Sequence, residues 1–384
     1  MPTSVACSLA NMKIGIDVNA LVRPQYTGVE RYVFELLSEM MKTPLLTGER
    51  VFLYASQPVK ELGVLPAGWE WRILTLPILQ KGWTHIRLSW ELMINPPDVF
   101  FCPAHEVPLG AIRSKIVTTI HDIAFVHVPE VYSQANRLRQ AWAVRRAIRS
   151  ADKILSVSQT TADDLSEHYH VSQDKMIVTR LGIRPEKFEV TEDQIYEVRR
   201  VYQLSDAPYL LTVGRVEKKK GIEFLIDVFE AYADKHAESD LRLVLAGKFG
   251  HGQEVIENRI NKSPVKDRIL VLGFVPESHL APLMNGAHAY MFPSTYEGFG
   301  IPALEAMASG TPVIASDVPA LKEVCGEAGV IRSHGDVDAW VKALEMFNIA
   351  EARDGFVQNG LDLVKQFNWR DTAQKTWEVL RSVK

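Results

Sequence analysis

The chain has 384 residues, and its content of 47% hydrophobic and 23% charged residues is typical of a soluble globular protein with two domains. The net charge of −4 at pH 7 excludes an overall basic surface for nucleic acid, and no run of about 18 apolar residues predicts a membrane span. The charge is uneven, since residues 1–184 carry 20 basic against 17 acidic side chains and residues 185–384 carry 23 against 30.

The first half of the chain alternates short strand-like runs with helical segments. A buried strand at residues 13–18 precedes a helix from Val29 to Met41, whose apolar residues recur at helical spacing. Further strands are predicted at residues 51–54, 71–74, 98–101, 116–120, 153–157 and 176–178. This order of elements is typical of a parallel sheet with crossover helices.

The same alternation restarts after a polar stretch at residues 184–206. Strands are predicted at residues 209–213, 241–246, 269–272, 289–292, 312–315 and 329–331. We therefore predict an α/β chain with two doubly wound, Rossmann-like domains that face each other across a cleft, at residues 1–184 and 185–366. Because ligands of such sheets bind where strands end, the loops after the strands are the candidate functional segments.

Two cations lie in the loop after the first strand of the second half. The segment VGRVEKKKG has Gly214, which leaves room for a ligand, and then Arg215 and Lys220 shortly before a helix. A forked guanidinium and a compact ammonium at a helix N-terminus suit a diphosphate. The alternative is a solvated charged turn, which is what most basic runs are, and Lys218 and Lys219 are expected to face water. The place of the run at the end of a strand favours the phosphate interpretation.

Two glutamates bracket a glycine-rich turn in the segment YEGFGIPALEAMAS. Gly298 and Gly300 let the backbone approach a ligand, and Pro302 fits the first turn of a helix. The N-terminus of that helix is suited to phosphate or to electron-rich oxygens. Glu297 lies before the turn and Glu305 lies inside the helix, so the pair is placed to hold hydroxyls at two ends of one polar ligand.

Three other loops carry weaker signals. His121 follows the strand at 116–120 and could polarise a ligand hydroxyl, although a single histidine at a strand end is more often structural. Gly28 opens the first helix and could bring backbone N–H groups beside an anion, or it is simply a turn glycine. Phe274 and Val275, in the segment LGFVP, follow another strand and could offer backbone groups to a nucleobase.

One competing pattern is a loose dinucleotide fingerprint. Gly298, Gly300 and Ala303 match its glycine spacing, and Asp317 follows a later strand at a plausible distance. The flanking glutamates would crowd a pyrophosphate, and a single match of this kind is weak. An NAD-dependent oxidoreductase therefore remains the alternative from another enzyme class.

Taken together, these segments resemble the family 4 retaining glycosyltransferases of the GT-B fold, over nearly the whole chain from Lys13 onward. The strongest match is the pair Glu297 and Glu305 within EGFGIPALE, combined with GRVEKKKG upstream. TGVERYV, the histidine–aspartate pair at His121, LGFVP and SGTPVIAS support the resemblance.

The resemblance implies a role for each candidate residue. Arg215 and Lys220 would grip the diphosphate and steady the leaving group, while His121 would contact the donor sugar near the reacting centre. Glu297 would hold hydroxyls of the donor sugar, and these four are the expected catalytic residues. Glu305 would bind the nucleotide ribose. The complete set of expected donor-binding residues is Gly28, Gly214, Phe274, Val275, Gly298, Phe299, Gly300, Ile301 and Glu305.

The resemblance also implies the substrates. The family needs no divalent metal, so we expect neither a metal site nor a cofactor. The expected donor is a GDP- or UDP-linked hexose, with mannose favoured, and the expected acceptor is a glycan or lipid-linked glycan of surface polysaccharide or O-antigen assembly. A nucleotide-sugar epimerase would share this architecture and is a further alternative. The final helix, within residues 367–384, is expected to return to the N-terminal domain.

Two features of the sequence concern location. Cys7, Cys102 and Cys325 are scattered and lack metal-ligand spacing, which favours a reducing compartment and predicts a cytoplasmic protein. Five arginines and several apolar residues share the predicted helix at 136–149, and aromatic residues lie in the segment 83–90. This pattern could rest on the anionic inner face of a membrane, or the helix could simply pack on the sheet.

Overall fold

A computed structural model describes residues 11–23, 26, 28–75, 82–111 and 113–383. Cys7 lies outside the described residues, and so does Thr27, the first residue of the segment TGVERYV. The chain divides into two compact units. The first comprises the described residues up to Ile123, then Leu138–Gly182, and then those from Trp369 onward, while the second comprises Ala124–Arg137 and Ile183–Asn368.

The elements alternate along the chain in the way that the sequence predicts. The strands are β1 Lys13–Asp17, β2 Arg50–Ala55, β3 Trp69–Ile73, β4 Val99–Cys102, β5 Lys115–Ile120, β6 Lys153–Ser156, β7 Met176–Val178, β8 Tyr209–Val213, β9 Arg242–Ala246, β10 Ile269–Gly273, β11 Ala289–Phe292, β12 Val313–Ser316 and β13 Val330–Arg332. The α-helices are α1 Gly28–Met40, α2 Ser89–Ile94, α3 Ala124–His127, α4 Gln134–Ser150, α5 Gln159–Tyr169, α6 Glu192–Val201, α7 Ile222–Lys235, α8 Gln253–Asn261, α9 Glu277–Asn285, α10 Ile301–Ala308, α11 Pro319–Cys325, α12 Val337–Phe347, α13 Ala350–Val364 and α14 Trp369–Ser382. A π-helical turn, Thr84–Leu88, runs directly into α2.

The strands form two parallel sheets, one in each unit. The first has the order β3-β2-β1-β4-β5-β6-β7, and the second has the order β10-β9-β8-β11-β12-β13. Every predicted strand is present, so the predicted fold of two doubly wound α/β units is confirmed. The direction of winding reverses between β1 and β4 and between β8 and β11, and the carboxyl ends of such neighbouring strands are where these folds bind ligands.

The last helix, α14, packs in the first unit. The indole N–H of Trp377 donates to the carbonyl of Met40 at 3.3 Å, and the Arg381 guanidinium donates two hydrogen bonds, of 2.9 and 2.8 Å, to the carboxylate of Glu49. The side chain of Glu49 is fully buried, so Arg381 supplies the charge that makes its burial possible.

Two features of the units differ from the sequence-based description. Residues 124–137 cluster with the second unit, because Ala124 and Val128 pack on Tyr296 and the ring of His127 stacks on Tyr296 at 4.6 Å. The polar stretch before β8 contains the helix α6, which begins with a capping box on Thr191. Its apolar residues Ile195 and Val198 are one helical turn apart, but the charged residues around them give the stretch a polar character in the sequence. In the part of the chain that the structure describes, no helix combines the length and the apolar character that crossing a membrane requires.

Candidate active site

The loop after β8 is held rigidly against the loop after β9. A Cβ atom on Gly247 would lie 1.7 Å from the carbonyl oxygen of Gly214, so the two backbones touch. The Val216 N–H donates to Lys248 O, and the Gly250 N–H donates to Val216 O, both at 3.0 Å. Gly214 itself has a φ of 137°, which other residues rarely adopt. The cations of this loop therefore start from a fixed backbone.

The two predicted cations of this loop are in different states. The side chain of Arg215 is exposed and makes no hydrogen bond or ion pair with the residues that the structure describes. Lys220 is mostly buried, and its Nζ lies 2.6 Å from Oε1 of Glu297 and 5.4 Å from the centre of the Phe292 ring. Arg215 is thus available to an anion, whereas Lys220 is already paired with a carboxylate.

The loop after β11 is fixed to the same cationic loop. Both the backbone N–H and the hydroxyl of Thr295 donate to Lys219 O, at 2.9 and 3.1 Å. Gly221 has a φ of 66°, and a Cβ atom on it would lie 2.0 Å from the carbonyl oxygen of Pro293. This close backbone contact brings Glu297 beside Lys220. The sequence predicts both residues as site residues, and the structure places them in direct contact.

Glu297 is a largely buried carboxylate, with 12% of its side chain exposed, and it stays ionised. Burial alone would raise its pKa, but the ammonium groups of Lys220 and Lys219 outweigh burial and hold the pKa below the usual 4.5. At neutral pH the carboxylate is therefore a charged hydrogen-bond acceptor. A ligand anion that attracts Lys220 would release this carboxylate for the hydroxyls of the same ligand.

Helix α10 begins at the glycine-rich turn. Gly300, the residue before it, has a φ of 114°, and a Cβ atom there would lie 2.7 Å from Cδ2 of Leu321. Pro302 occupies the first turn, where its missing N–H costs no helical hydrogen bond. The first N–H groups of the helix, which include that of Ile301, have no partner within the helix. The side chain of Phe299 beside this turn is buried, so the backbone of the turn is the part that a ligand can reach.

Glu305 lies inside α10 and is only 4% exposed. Its charge reaches Tyr290 on β11, whose pKa is raised first by burial and then by the carboxylates of Glu305 and Glu297. The Tyr290 hydroxyl lies 3.3 Å from both the N–H and the carbonyl of Val213, at the end of β8. Both glutamates therefore lie close enough to the buried Tyr290 to raise its pKa.

The loop after β10 offers an aromatic surface. The ring of Phe274 is 51% exposed, and Nζ of Lys248 lies 5.0 Å from its centre. Val275 is buried, so only its backbone can meet a ligand. Gly273 forms a backbone bridge to Gly247, which connects this loop to the cationic one. A base-binding role for this loop stays a prediction.

Gly28 and His121 belong to the first unit. Gly28 is the first residue of α1 and is exposed, and a Cβ atom there would meet nothing within 4 Å. Neither crowding nor backbone conformation within this unit requires a glycine at this position. Close approach of an anion to its N–H stays a prediction.

His121 follows β5 and is electrically neutral at neutral pH. Its Nε2 lies 2.9 Å from Pro103 O, and because a carbonyl only accepts, we assign the ring proton to Nε2. The ring packs edge-on against Tyr32, with centres 4.7 Å apart. Burial, which outweighs the hydrogen bond to Pro103, lowers the pKa to about 4. The ring can therefore accept a hydrogen bond at Nδ1, but it carries no positive charge for a phosphate.

This neutrality predicts a pH dependence of stability. The unfolded ring takes up a proton near pH 6.5 and the folded ring only near pH 4, so its stabilising contribution is complete above pH 6.5 and is lost as the pH falls to 4. Because the ring is partly exposed, we expect the free energy of unfolding to fall by about 2 kcal/mol, which is less than the full pKa shift would give. Urea unfolding of the wild type and of His121→Gln across this range measures the difference.

The exposed His251 supplies the control for that experiment. His251→Gln should follow the pH profile of the wild type, whereas His121→Gln should have a flatter one. Parallel profiles for the wild type and His121→Gln would contradict the assignment of a neutral ring.

Asp17, at the end of β1, is a further candidate that is absent from the residues predicted for the site. Its Oδ1 accepts the N–H of Asn19 at 3.0 Å. Burial, the largest influence, and the charge of Glu106 raise the pKa of Asp17 to about 7, against the lowering effect of that hydrogen bond. An acid that titrates near neutral pH at this edge of the sheet is a candidate for handling a proton. Its signal in the sequence was an aspartate that ends the apolar strand KIGID.

Comparisons with known proteins concern the family and the fold of the chain. Residues 26–187 match the family model described as Glycosyltransferase Family 4, and residues 195–360 match the one described as Glycosyl transferases group 1. The chain is 29% identical to O-antigen chain mannosyltransferase B of Escherichia coli over 366 residues, which cover 91% of this chain and 94% of that protein. It is 26% identical to O-antigen chain mannosyltransferase RfbU of Salmonella typhimurium over 250 residues, covering 65% of this chain and 64% of the other.

Solved structures with this fold include two that cover almost the whole chain. Anabaena Alr3699/HepE in complex with UDP-glucose superposes with a TM-score of 0.75 at 18% identity, over 97% of this chain and all of that one. WaaG, a glycosyltransferase involved in lipopolysaccharide biosynthesis, gives a TM-score of 0.70 at 18% identity, over 96% of this chain and 99% of the other. At these identities the similarity concerns the fold.

Proposed function

The chain belongs to the glycosyltransferases that combine a family 4 domain with a group 1 domain, and we propose that it transfers a hexose from a nucleoside diphosphate sugar to a glycan or lipid-linked glycan. The observation that carries the proposal is the pairing of Lys220 with Glu297 at the ends of β8 and β11, next to the exposed Arg215. Two cations suit a diphosphate, and a buried carboxylate suits sugar hydroxyls. An activated sugar has both groups.

Mannose is the sugar that we propose. The relatives in Escherichia coli and Salmonella typhimurium are named O-antigen chain mannosyltransferases, and they also suggest an acceptor in surface polysaccharide assembly. The complex of HepE with UDP-glucose concerns a protein of the same fold and supports a nucleotide-linked donor. The nucleotide of the proposed donor is guanosine or uridine diphosphate.

The residues of the second unit suggest how the donor is activated. The diphosphate would bind Arg215, attract Lys220 away from Glu297, and lie near the first N–H groups of α10. Glu297 would then accept hydrogen bonds from the sugar. As the bond between the sugar and the diphosphate breaks, its electron pair stays on the phosphate oxygen, where the cations stabilise the growing charge.

The finer chemistry is also a proposal. Retention of configuration follows from the family resemblance, and the acceptor hydroxyl would give its proton to the departing phosphate. Arg215, Lys220 and the helix N-terminus supply positive charge, so we propose that no metal is required. Transfer in excess EDTA should proceed at the rate seen without the chelator, and a loss that Mg²⁺ restores would contradict metal independence.

A thermal-shift screen tests the donor class. A ligand that binds only the native protein raises its melting temperature, so we expect GDP-mannose or UDP-linked hexoses at 100 times their Kd to stabilise the protein by about 2.7 kcal/mol. NAD serves as the comparison, because the glycine spacing of the turn resembles a dinucleotide site. Stabilisation by NAD alone would contradict the proposal, and hydrolysis or epimerisation without an acceptor product would contradict transfer.

We propose that the first unit contacts a membrane. Helix α4, the loop 107–111 and the helical segment 84–94 present an apolar patch that consists of the exposed residues Ile86, Trp90, Met93, Leu109 and Trp142. The rings of His85 and Trp142 are 5.5 Å apart, and the backbone of Gly110 lies against Ser89, so these segments are neighbours. Exposed aromatic and aliphatic residues beside arginines are typical of surfaces that rest on anionic lipid.

A further inference from the structure

A cavity of about 470 Å³ lies in the first unit, beside the amino end of β5. Lys115 lines it and is the first residue of β5, while His121 follows the last residue of the same strand. At about 3.3 Å per residue, some 20 Å of strand separates the two residues. The cavity is therefore distinct from the loops at the carboxyl end of this sheet.

The charged side chains that line the cavity are three basic ones, Arg113, Lys115 and Arg146, and one carboxylate. Its carboxylate, Asp152, is already engaged, because Oδ1 lies 3.1 Å from Nζ of Lys115 and Oδ2 accepts the N–H of Ile116 at 2.8 Å. Two guanidinium groups, those of Arg113 and Arg146, line the cavity without a carboxylate partner among the described residues. The cavity thus carries two positive charges that no carboxylate in the described part of the chain balances.

The two arginines have complementary roles. Arg146 donates from Nε to Val107 O at 3.2 Å and from Nη2 to Pro108 O at 2.8 Å, which fixes its guanidinium in the wall. Arg113 is exposed and makes no hydrogen bond or ion pair with any residue that the structure describes. One cation is therefore held in place, and the other is free to close on an anion. Arginine forks match the oxygen atoms of a phosphate group.

The cavity adjoins the apolar patch. Trp142 and Arg146 are four residues apart on α4 and therefore lie on the same face of that helix. Leu109, another member of the patch, directly follows Pro108 in the cavity wall. An anion bound here would thus be next to exposed apolar side chains, which is the arrangement of the headgroup and chains of a lipid.

We propose that this cavity binds the phosphate of an anionic lipid headgroup while the apolar patch contacts the lipid chains. The inference rests on the proposed membrane contact and gives it a defined headgroup site. Arg113 and Arg146 form charge-assisted hydrogen bonds with the phosphate oxygens, and a phosphomonoester headgroup is favoured because it exposes the most oxygen atoms. The site positions the enzyme on a leaflet and leaves the donor-binding loops of the second unit unchanged.

Vesicle flotation of the full chain tests the site with Arg113→Gln. The wild type should bind vesicles of phosphatidylcholine and phosphatidic acid more tightly than vesicles with phosphatidylserine at the same surface charge. Arg113→Gln should weaken binding to phosphatidic acid about tenfold, which is more than the roughly fivefold effect of one cation near a charged surface. Because Arg113 is exposed and makes no hydrogen bond or ion pair with the described residues, this variant should fold normally.

Arg145→Gln is the matched control. Arg145 is an exposed arginine of the same helix α4, it lies near enough to Tyr169 to influence its pKa, and it does not line the cavity. Equal losses for Arg113→Gln and Arg145→Gln, or equal binding of the two anionic lipids, would show diffuse attraction and overturn the headgroup site alone. Failure to bind any vesicle would overturn the membrane contact as well. Displacement from vesicles by millimolar inorganic phosphate would assign the cavity to a soluble anion instead.

Discussion

Replacing Lys220 with alanine should lower kcat about 100-fold, which is the typical cost of removing one preorganised group that stabilises charge in a transition state. The lysine pairs with Glu297 at 2.6 Å, and the proposed donor phosphate would take over this ammonium group. Because the charge on the phosphate grows as the sugar leaves, the lysine should matter more in the transition state than in the bound donor. Steady-state kinetics should therefore show a large change in kcat and a small one in the KM for the donor.

The pH profile distinguishes this role from a structural one. Without the Lys220 charge, burial dominates and the pKa of Glu297 rises, so the acid limb of the rate profile should move to higher pH. Lys218→Ala is the matched control, since Lys218 is an exposed lysine of the same turn and should leave both the rate and the profile unchanged. A wild-type kcat in Lys220→Ala would exclude the lysine from the proposed mechanism.

Replacing Arg215 with alanine should lower kcat by a similar factor, but for a different reason. Its guanidinium has no partner within the described residues, so Arg215→Ala removes a contact to the donor without leaving a buried carboxylate unpaired. We therefore expect kcat to fall by about 100-fold while the acid limb stays in place. If Arg215→Ala moved the acid limb as far as Lys220→Ala does, the division of roles between the two cations would be wrong.

The sequence was a good guide to the fold because its strands are buried on both faces. Such strands are nearly continuous apolar runs, like VFFC at β4 and AYMF at β11, and they stand out between amphipathic helices. Helix α6 was harder to predict, because most of its residues are polar and only Val198 on it is buried. The assignment of residues 124–137 to the second unit could not be predicted either, because it depends on contacts with Tyr296, which is distant in the chain.

The candidate site was only partly predictable. Residue types and their positions after strands identified Lys220 and Glu297 separately, but their contact depends on the backbone approach between Gly221 and Pro293. The neutral state of His121 and the raised pKa of Asp17 both come mainly from burial. Burial at a loop depends on the surrounding fold, so no local pattern in the sequence could indicate these charge states.

Glu305→Gln should raise the KM for the donor about 50-fold with little change in kcat, if Glu305 holds the nucleotide ribose. Hydrogen bonds to a charged group contribute about 1.5–3 kcal/mol, and glutamine keeps the size of the side chain while it removes the charge. The ribose takes no part in bond breaking, so its contacts should be equally strong in the bound donor and in the transition state. This pattern is the reverse of the one expected for Lys220→Ala.

A donor whose ribose lacks both hydroxyls separates ribose binding from damage to the fold. The wild type should bind this dideoxy analogue about as weakly as Glu305→Gln does, and the variant should not distinguish the two donors, because the interaction is then missing from either side. Glu327→Gln, at an exposed glutamate of the same unit, should behave like the wild type with both donors. Binding of the dideoxy analogue could instead be another 50-fold weaker in Glu305→Gln. Glu305 would then act through the packing of α10, where its side chain is almost fully buried, and the ribose assignment would be wrong.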